Sequence, residues 1–250
     1  MKFLGIIPAR YASTRFPGKP LAMLGGKPVI QRVYEQVNGV LDDAVVATDD
    51  QRIFDAVVAF GGKVVMTSTE HRSGTDRCYE ALTKVGADMY DVVVNIQGDE
   101  PFIQPQQLQA IKECFNDDSI DIATLVKPFT PEDGIAALEN ANSPKVVVNN
   151  KMEALYFSRS IIPYMRGKDK EEWLPNHTYY KHIGLYAYRT DVLRQITSLP
   201  QGTLEKVESL EQLRWLENGY KIKVAISEIE TIGIDTPEDL IKADEFLKNS

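Results

Sequence analysis

Short runs of apolar, β-branched residues recur through the first half of the chain: FLGII from Phe3, AVVAT from Ala44, KVVMT from Lys63, DVVVNI from Asp91 and DIATLV from Asp121. Each is nearly continuous in Val, Ile or Leu instead of alternating with polar residues, as parallel strands covered on both faces require. Between them lie stretches of helical period, the clearest over 29–38 with Val29, Ile30, Val33 and Val37 on one face. The others cover 51–60, 75–85 and 105–115. This βαβα rhythm predicts an α/β fold with a doubly wound, mostly parallel sheet. Ligands of such sheets gather at the carboxyl ends of the strands.

The rhythm breaks after about residue 143. KVVVNNKMEALYFS, 145–158, reads as a hairpin turning at Asn149–Asn150, and 159–179 is irregular and rich in Pro, Lys and Tyr. A strand (HIGLYAYR), helices near 190–198 and 204–218, a strand (KIKVAI) and a final helix follow. The pattern predicts one domain over 1–250 with a smaller β-rich subdomain inserted at about 145–190.

With 43% hydrophobic and 26% charged residues over 250 positions, the composition is that of a soluble globular protein. No apolar run approaches the roughly 20 residues of a membrane span. MKFLGIIP is too short for a signal peptide, and the two cysteines, Cys78 and Cys114, lack CxxC spacing. A cytoplasmic protein with buried thiols is expected. The net charge of −8 is unevenly spread, because Lys2, Arg10, Arg15, Lys19, Lys27 and Arg32 precede the first acid, Glu35. An acidic protein with a basic start does not fit nonspecific nucleic-acid binding, but it fits a site for one small, multiply charged anion.

Those cations fall in IPARYASTRFPGKPL, 7–21, directly after the first strand. Arg10, Ser13, Thr14, Arg15 and Lys19 stand among Gly18, Pro8, Pro17 and Pro20, a set able to hold triphosphate oxygens with side chains and backbone N–H groups. It is not a Walker A loop, since Gly18-Lys19 is followed by Pro20 where that motif needs Ser or Thr, and no GxGxxG occurs. NIQGDEP, 95–101, puts Asp99 at a strand tip beside a glycine, as a Mg²⁺ ligand or as a helix-capping acid. GIDTPEDL, 233–240, contains a helix start at Thr236-Pro237-Glu238-Asp239 that recurs at Thr130-Pro131-Glu132-Asp133. Asp235 is the extra element there, placed to complete a metal site with Asp99. Two carboxylates and a cationic loop are the parts nucleotidyl transfer needs.

With these motifs, SGTDR at 73–77, YFSRS at 156–160, KHIGLYAYR at 181–189 and VESLEQLRWLENG at 207–219 complete a resemblance to the 3-deoxy-manno-octulosonate (KDO) cytidylyltransferases. It runs over essentially the whole chain. PAR…STR…PGKPL fixes only the wider sugar-acid cytidylyltransferases, whereas HIGLYAYR, LEQLRWLENG and GIDTPEDL are more specific. The resemblance implies a nucleotide-diphospho-sugar transferase-like fold and transfer of CMP from CTP to the anomeric hydroxyl of KDO, for lipopolysaccharide synthesis. It also implies Mg²⁺ dependence and a cytoplasmic homodimer, with the insertion serving sugar site and dimer.

Carried over by position, Arg10, Arg15 and Lys19 face the triphosphate with Ser13 assisting, and Asp99 and Asp235 hold Mg²⁺. Arg10, Lys19, Asp99 and Asp235 form the catalytic set, while Pro8, Ala9 and Arg77 lie near the nucleotide. Gln97, Arg159, His182, Tyr186, Glu211 and Gln212 take the sugar. Without the resemblance, His182 reads as a core histidine, and Glu211 and Gln212 as solvated positions in mid-helix. Ser160 and Ile161 depart from the family's FSRAPIP, and 139–150 is unusual for it. Competing readings are a CMP-sialic acid synthetase, an 8-amino-KDO enzyme, a noncatalytic nucleotide-binding regulator and a metal-dependent glycosyltransferase. The sugar-site motifs disfavour the first, the intact carboxylates and cations the regulator, and the many loop cations the glycosyltransferase.

Overall fold

The computed structural model describes residues 1–13, 15–229 and 233–249, with only the backbone of Asn249; Thr14 of the cationic loop lies outside them. The strands in chain order are β1 (Phe3–Ala9), β2 (Met23–Leu24), β3 (Lys27–Pro28), β4 (Asp43–Thr48), β5 (Val64–Met66), β6 (Val92–Asn95), β7 (Ile122–Pro128), β8 (Lys145–Val148), β9 (Ala154–Ser158), β10 (Tyr180–Arg189) and β11 (Ile222–Ile226). The helices are α1 (Val29–Asn38), α2 (Gln51–Ala59), α3 (Gly74–Val85), α4 (Pro105–Cys114), α5 (Gly134–Glu139), α6 (Trp173–Asn176), α7 (Thr190–Thr197), α8 (Thr203–Glu208), α9 (Gln212–Glu217) and α10 (Pro237–Asn249).

The chain divides into two units, one comprising Met1–Gln109, Ala187–Thr197 and Thr231–Ser250, the other Ala110–Tyr186 and Ser198–Glu230. Of the expected insertion, 145–186 fall in the second unit and 187–190 in the first. In the first unit β1 pairs in parallel with both β4 and β6, and β4 pairs in parallel with β5. Nearly every residue of β1, β4 and β6 is buried, so both sheet faces are covered, as the continuous apolar runs predict. Parallel pairing brings the carboxyl ends of these strands to one edge, where the loops after Ala9, Thr48, Met66 and Asn95 meet. Helices α2 and α3 start from that edge under side-chain caps, Asp50 accepting from the Arg52 N–H (2.9 Å) and Ser73 from the Asp76 N–H (3.1 Å). A separate apolar cluster of Leu24, Val29, Phe102, Ile234 and Ala243, with Phe16 against it, fixes the chain just before Asp235.

In the second unit β11 runs parallel to β7, while β8 pairs antiparallel with β9 and β10. Its core includes Phe129, Leu138, Trp173 and Tyr179. Two local expectations are corrected here. The hairpin does not turn tightly at Asn149–Asn150; its loop extends to Glu153, because Asn149 Oδ1 accepts from the Lys151 and Glu153 N–H groups (2.8 and 3.0 Å). The helix expected over 204–218 is two helices, broken at Ser209 (φ 53°). Arg159 donates to the carbonyls of Glu208 (2.6 Å) and Ser209 (3.2 Å), which a continuous helix would use internally. Both cysteines are buried, and burial pushes the Cys114 thiol up to about 11.

Candidate active site

The loop after β1 is closed by the Gly18 N–H donating to the Tyr11 carbonyl (2.9 Å), a turn that places Gly18 at φ 73°. The Tyr11 ring carries the Arg52 guanidinium 3.3 Å from its centroid, and Arg52 is held in turn by Asp50 (3.0 and 2.7 Å). Ser13 Oγ accepts from the Phe16 N–H (3.3 Å), serving the turn. The chain then enters a short 3-10 turn, Lys19–Leu21, which sends Lys19 inward. Its side chain is only 12% exposed, its ammonium donates to Asp99 Oδ2 (2.5 Å) and Asp235 Oδ1 (3.3 Å), and Arg15 pairs with Asp235 Oδ2 (3.1 Å).

The two carboxylates, 136 positions apart in the sequence, thus meet at one cation. Backbone contacts hold them there. The Ile234 N–H donates to the Asp99 carbonyl (2.9 Å), which ties the approach to Asp235 to the turn carrying Asp99. That turn itself presses on β1, since a Cβ added at Gly98 would stand 2.7 Å from the Pro8 carbonyl oxygen. The cap at Thr236 forms as expected, with Asp239 accepting from the Thr236 N–H (3.0 Å) and Thr236 Oγ1 from the Asp239 N–H (3.2 Å).

Two more arginines are fixed by residues that the sequence motifs did not single out. Arg10 donates to the His71 carbonyl, and the His71 ring meets Glu80. Burial raises the Glu80 carboxyl, but hydrogen bonds from Lys84, the Ser68 N–H and His71 outweigh this and bring it down to about 2. Arg77 is fully buried on α3 and donates to Asp49 (2.6 Å) and to Thr67. Asp49 follows β4 at the same sheet edge as Asp99, so the strand-tip logic applied to Asp99 was available for it as well. Pro8, Ala9, Arg10, Ser13, Arg15, Lys19, Arg77, Gln97 and Asp99 line one cavity of about 460 Å³, with Arg72, Ser73, Gly74 and Gly98 completing much of its wall. It is a polar, cation-rich pocket of a size to take a nucleotide.

The remaining expected sugar positions gather in the second unit. His182 hydrogen-bonds Thr124 Oγ1 (3.1 Å) and lies edge-on to Phe157 at 5.2 Å between centroids. Burial pushes its imidazole down to about 4, so it is neutral at physiological pH. Tyr186 packs between His182 (5.3 Å) and Trp215 of α9 (5.1 Å). Gln212, a solvated position on periodicity alone and a sugar position by the resemblance, is buried at the start of α9, and its Nε2 has no hydrogen-bond partner among the described residues. The break at Ser209 turns this residue inward. Glu211 is held by Arg214 (3.0 Å), itself bonded to Glu205. Arg159 spends three donors on the carbonyls of Glu208, Ser209 and Ala141, and thereby holds the approach to α9. The buried Lys145 donates to the Arg159, Ser143 and Asn140 carbonyls (2.7, 2.9 and 3.0 Å), and burial lowers its pKa.

No group of three or more His, Cys, Asp or Glu among the described residues is arranged to hold a metal alone. Asp99 and Asp235 nevertheless suit Mg²⁺. Mg²⁺ is ordinarily bound by one or two carboxylates, with substrate phosphates and water completing its shell. Both acids already converge on a cation beside a pocket fit for phosphates.

Comparison with known proteins agrees with this architecture. The cytidylyltransferase family model matches residues 4–223. A protein of Bacteroides thetaiotaomicron named 3-deoxy-manno-octulosonate cytidylyltransferase is 76% identical, over 100% of this chain and 99% of its own. One of Shewanella piezotolerans named 8-amino-3,8-dideoxy-manno-octulosonate cytidylyltransferase is 48% identical over 94% of each chain. Among solved structures, CMP:2-keto-3-deoxy-manno-octonic acid synthetase complexed with CTP superposes with a TM-score of 0.91 at 42% identity, covering 100% of this chain and 99% of that one.

Proposed function

The chain belongs to the cytidylyltransferase family, and from that premise we propose that it transfers the CMP group of CTP to the anomeric hydroxyl of KDO. Pyrophosphate leaves, and CMP-KDO is supplied for lipopolysaccharide synthesis. The observation that carries this reading is the meeting of Asp99 and Asp235 at Lys19 on the wall of a cation-lined cavity.

Arg10, Arg15 and Lys19 hold the triphosphate and stabilise the charge that grows on departing pyrophosphate. Ser13 keeps the loop in shape, and Pro8, Ala9 and the buried Arg77 shape the nucleotide's seat. Asp99 and Asp235 would hold Mg²⁺, which would supply neutralisation of the phosphate charge. Lys19 bridges the same two carboxylates, so it sets their spacing and remains beside the phosphates as a fixed positive charge. Arg159, His182, Tyr186, Glu211 and Gln212 of the second unit receive the sugar acid. Neutral His182 serves as a hydrogen-bonding group, while Arg159 orders the chain before α9. In-line placement of the acceptor oxygen against the α-phosphorus then suffices, because transfer of this kind rests on positioning and electrostatics. The reading includes a cytoplasmic homodimer; the exposed Leu155 and Val207 of the second unit offer apolar surface for it.

The test is pyrophosphate release from CTP, KDO and Mg²⁺ by Asp99→Asn and Asp235→Asn, which keep side-chain shape and remove charge. Each is expected to fall about 100-fold or more, and normal turnover in either removes the metal assignment. A second reading, transfer to the 8-amino sugar, is favoured by the similarity to the Shewanella protein and is separated by the choice of acceptor.

A further inference from the structure

The cations of the cavity are not equivalent. Lys19 and Arg15 face Asp99 and Asp235, and Arg77 faces Asp49. Arg10 and Arg72 line the same cavity, and neither meets a carboxylate among the described residues. They are also neighbours. The carbonyl that Arg10 holds belongs to the peptide joining His71 to Arg72, so its guanidinium sits one peptide unit from the Arg72 backbone.

That peptide is fixed on both sides. The His71 ring is anchored on Glu80, and Ser73, immediately after Arg72, caps α3 through the Asp76 N–H (3.1 Å). Arg72 is therefore an exposed guanidinium on a rigid base, with its backbone set and its charge unspent. Two arginines lining one cavity, neither neutralised by a carboxylate, favour an anion within it. Planar forks of this kind grip phosphate through paired hydrogen bonds.

We infer that Arg72 and Arg10 form a clamp on the non-transferred phosphates of the nucleotide, with Arg72 a substrate-binding residue in its own right. This deepens the reading of the cavity as a CTP site and rests on it. Because the clamp grips the phosphates that leave, it acts on CTP and on pyrophosphate and has no hold on CMP.

The test is calorimetric titration of the full chain and its Arg72→Ala and Arg72→Lys variants with CTP, pyrophosphate and CMP in metal-free buffer. Loss of one charge-assisted phosphate contact is expected to weaken CTP and pyrophosphate about tenfold in Arg72→Ala. CMP is expected to change less than about twofold, Arg72→Lys to recover part of the loss, and added salt to shrink the difference. Since Arg72 is exposed, the melting temperature should not move. Equal weakening of CMP would overturn the clamp in favour of a nucleoside contact. Unchanged binding of all three ligands would make Arg72 a solvated side chain. Turnover of CTP and KDO by the unaltered protein is measured alongside. Turnover with no effect of Arg72→Ala defeats the clamp alone; an Arg72-dependent pyrophosphate site without turnover defeats the activity and leaves the clamp.

Discussion

Replacing Gly98 with alanine tests how closely the turn that carries Asp99 depends on its packing against β1. The glycine has no need of an unusual backbone angle, so the perturbation is purely steric. Its new Cβ would stand 2.7 Å from the Pro8 carbonyl oxygen, against an ordinary C···O approach of about 3.3 Å. The obstacle is backbone inside a parallel sheet, with Pro8 paired to Ala47, so the turn must retreat by roughly half an ångström. Asp99 rides on that turn, and its carbonyl holds Ile234 beside Asp235. Both carboxylates are therefore carried off their positions around Lys19. Misplacement of about 1 Å in a reacting assembly costs about 100-fold in rate, and about half that shift is expected to cost roughly tenfold. Overpacking of this kind also costs about 1–3 kcal/mol of stability. Steady-state pyrophosphate release gives the first quantity and urea unfolding the second. A Gly98→Ala protein with unchanged kcat and unfolding midpoint would refute the link between this packing and the carboxylates.

Arg77→Met should lower stability by about 3 kcal/mol, because it leaves the Asp49 carboxylate shielded and unpaired; a urea midpoint shift equivalent to under about 1 kcal/mol would contradict this. His182 is depressed by burial from 6.5 to about 4, so the unfolded chain binds its proton first. Its contribution is complete above pH 6.5 and is lost as the pH falls toward 4; His182→Asn should remove that slope from unfolding curves measured between pH 7 and 4.5, and an unchanged slope would count against it. Arg52→Ala should loosen the Tyr11 loop and raise KM for CTP about threefold, with kcat and KM for KDO steady. A rise in both KM values would mean general damage instead.

Much of the first unit was legible because its physics is local. Continuous apolar runs announced the buried strands β1, β4 and β6, and loop composition announced Arg10, Arg15 and Lys19. Asp99 was visible as an acid at a strand tip and Asp235 as the odd residue before a repeated cap. Lys19 as the bridge between them was not, since that depends on loops 80 and 216 positions away folding onto it. Glu80 was hidden for the same reason, since it reaches Arg10 only through His71 and stands in no distinctive local pattern, whereas the strand-tip position of Asp49 was open to the same reading as Asp99. The break at Ser209 was missed because helical period persists across it. Only the competing hydrogen bonds of Arg159, 50 positions upstream, end the helix there. Gln212 consequently reads as solvated on its helical position alone and is buried.

Transfer to KDO is decided by incubating the unaltered protein with CTP, Mg²⁺ and one acceptor at a time: KDO, 8-amino-KDO or N-acetylneuraminate. Release of pyrophosphate is followed, and the nucleotide product is identified by mass. Stoichiometric CMP-KDO and pyrophosphate are expected with KDO, at a kcat/KM at least about tenfold above either alternative, the margin that one or two specific acceptor contacts supply. No turnover with KDO, alongside turnover of another sugar acid, would contradict that transfer.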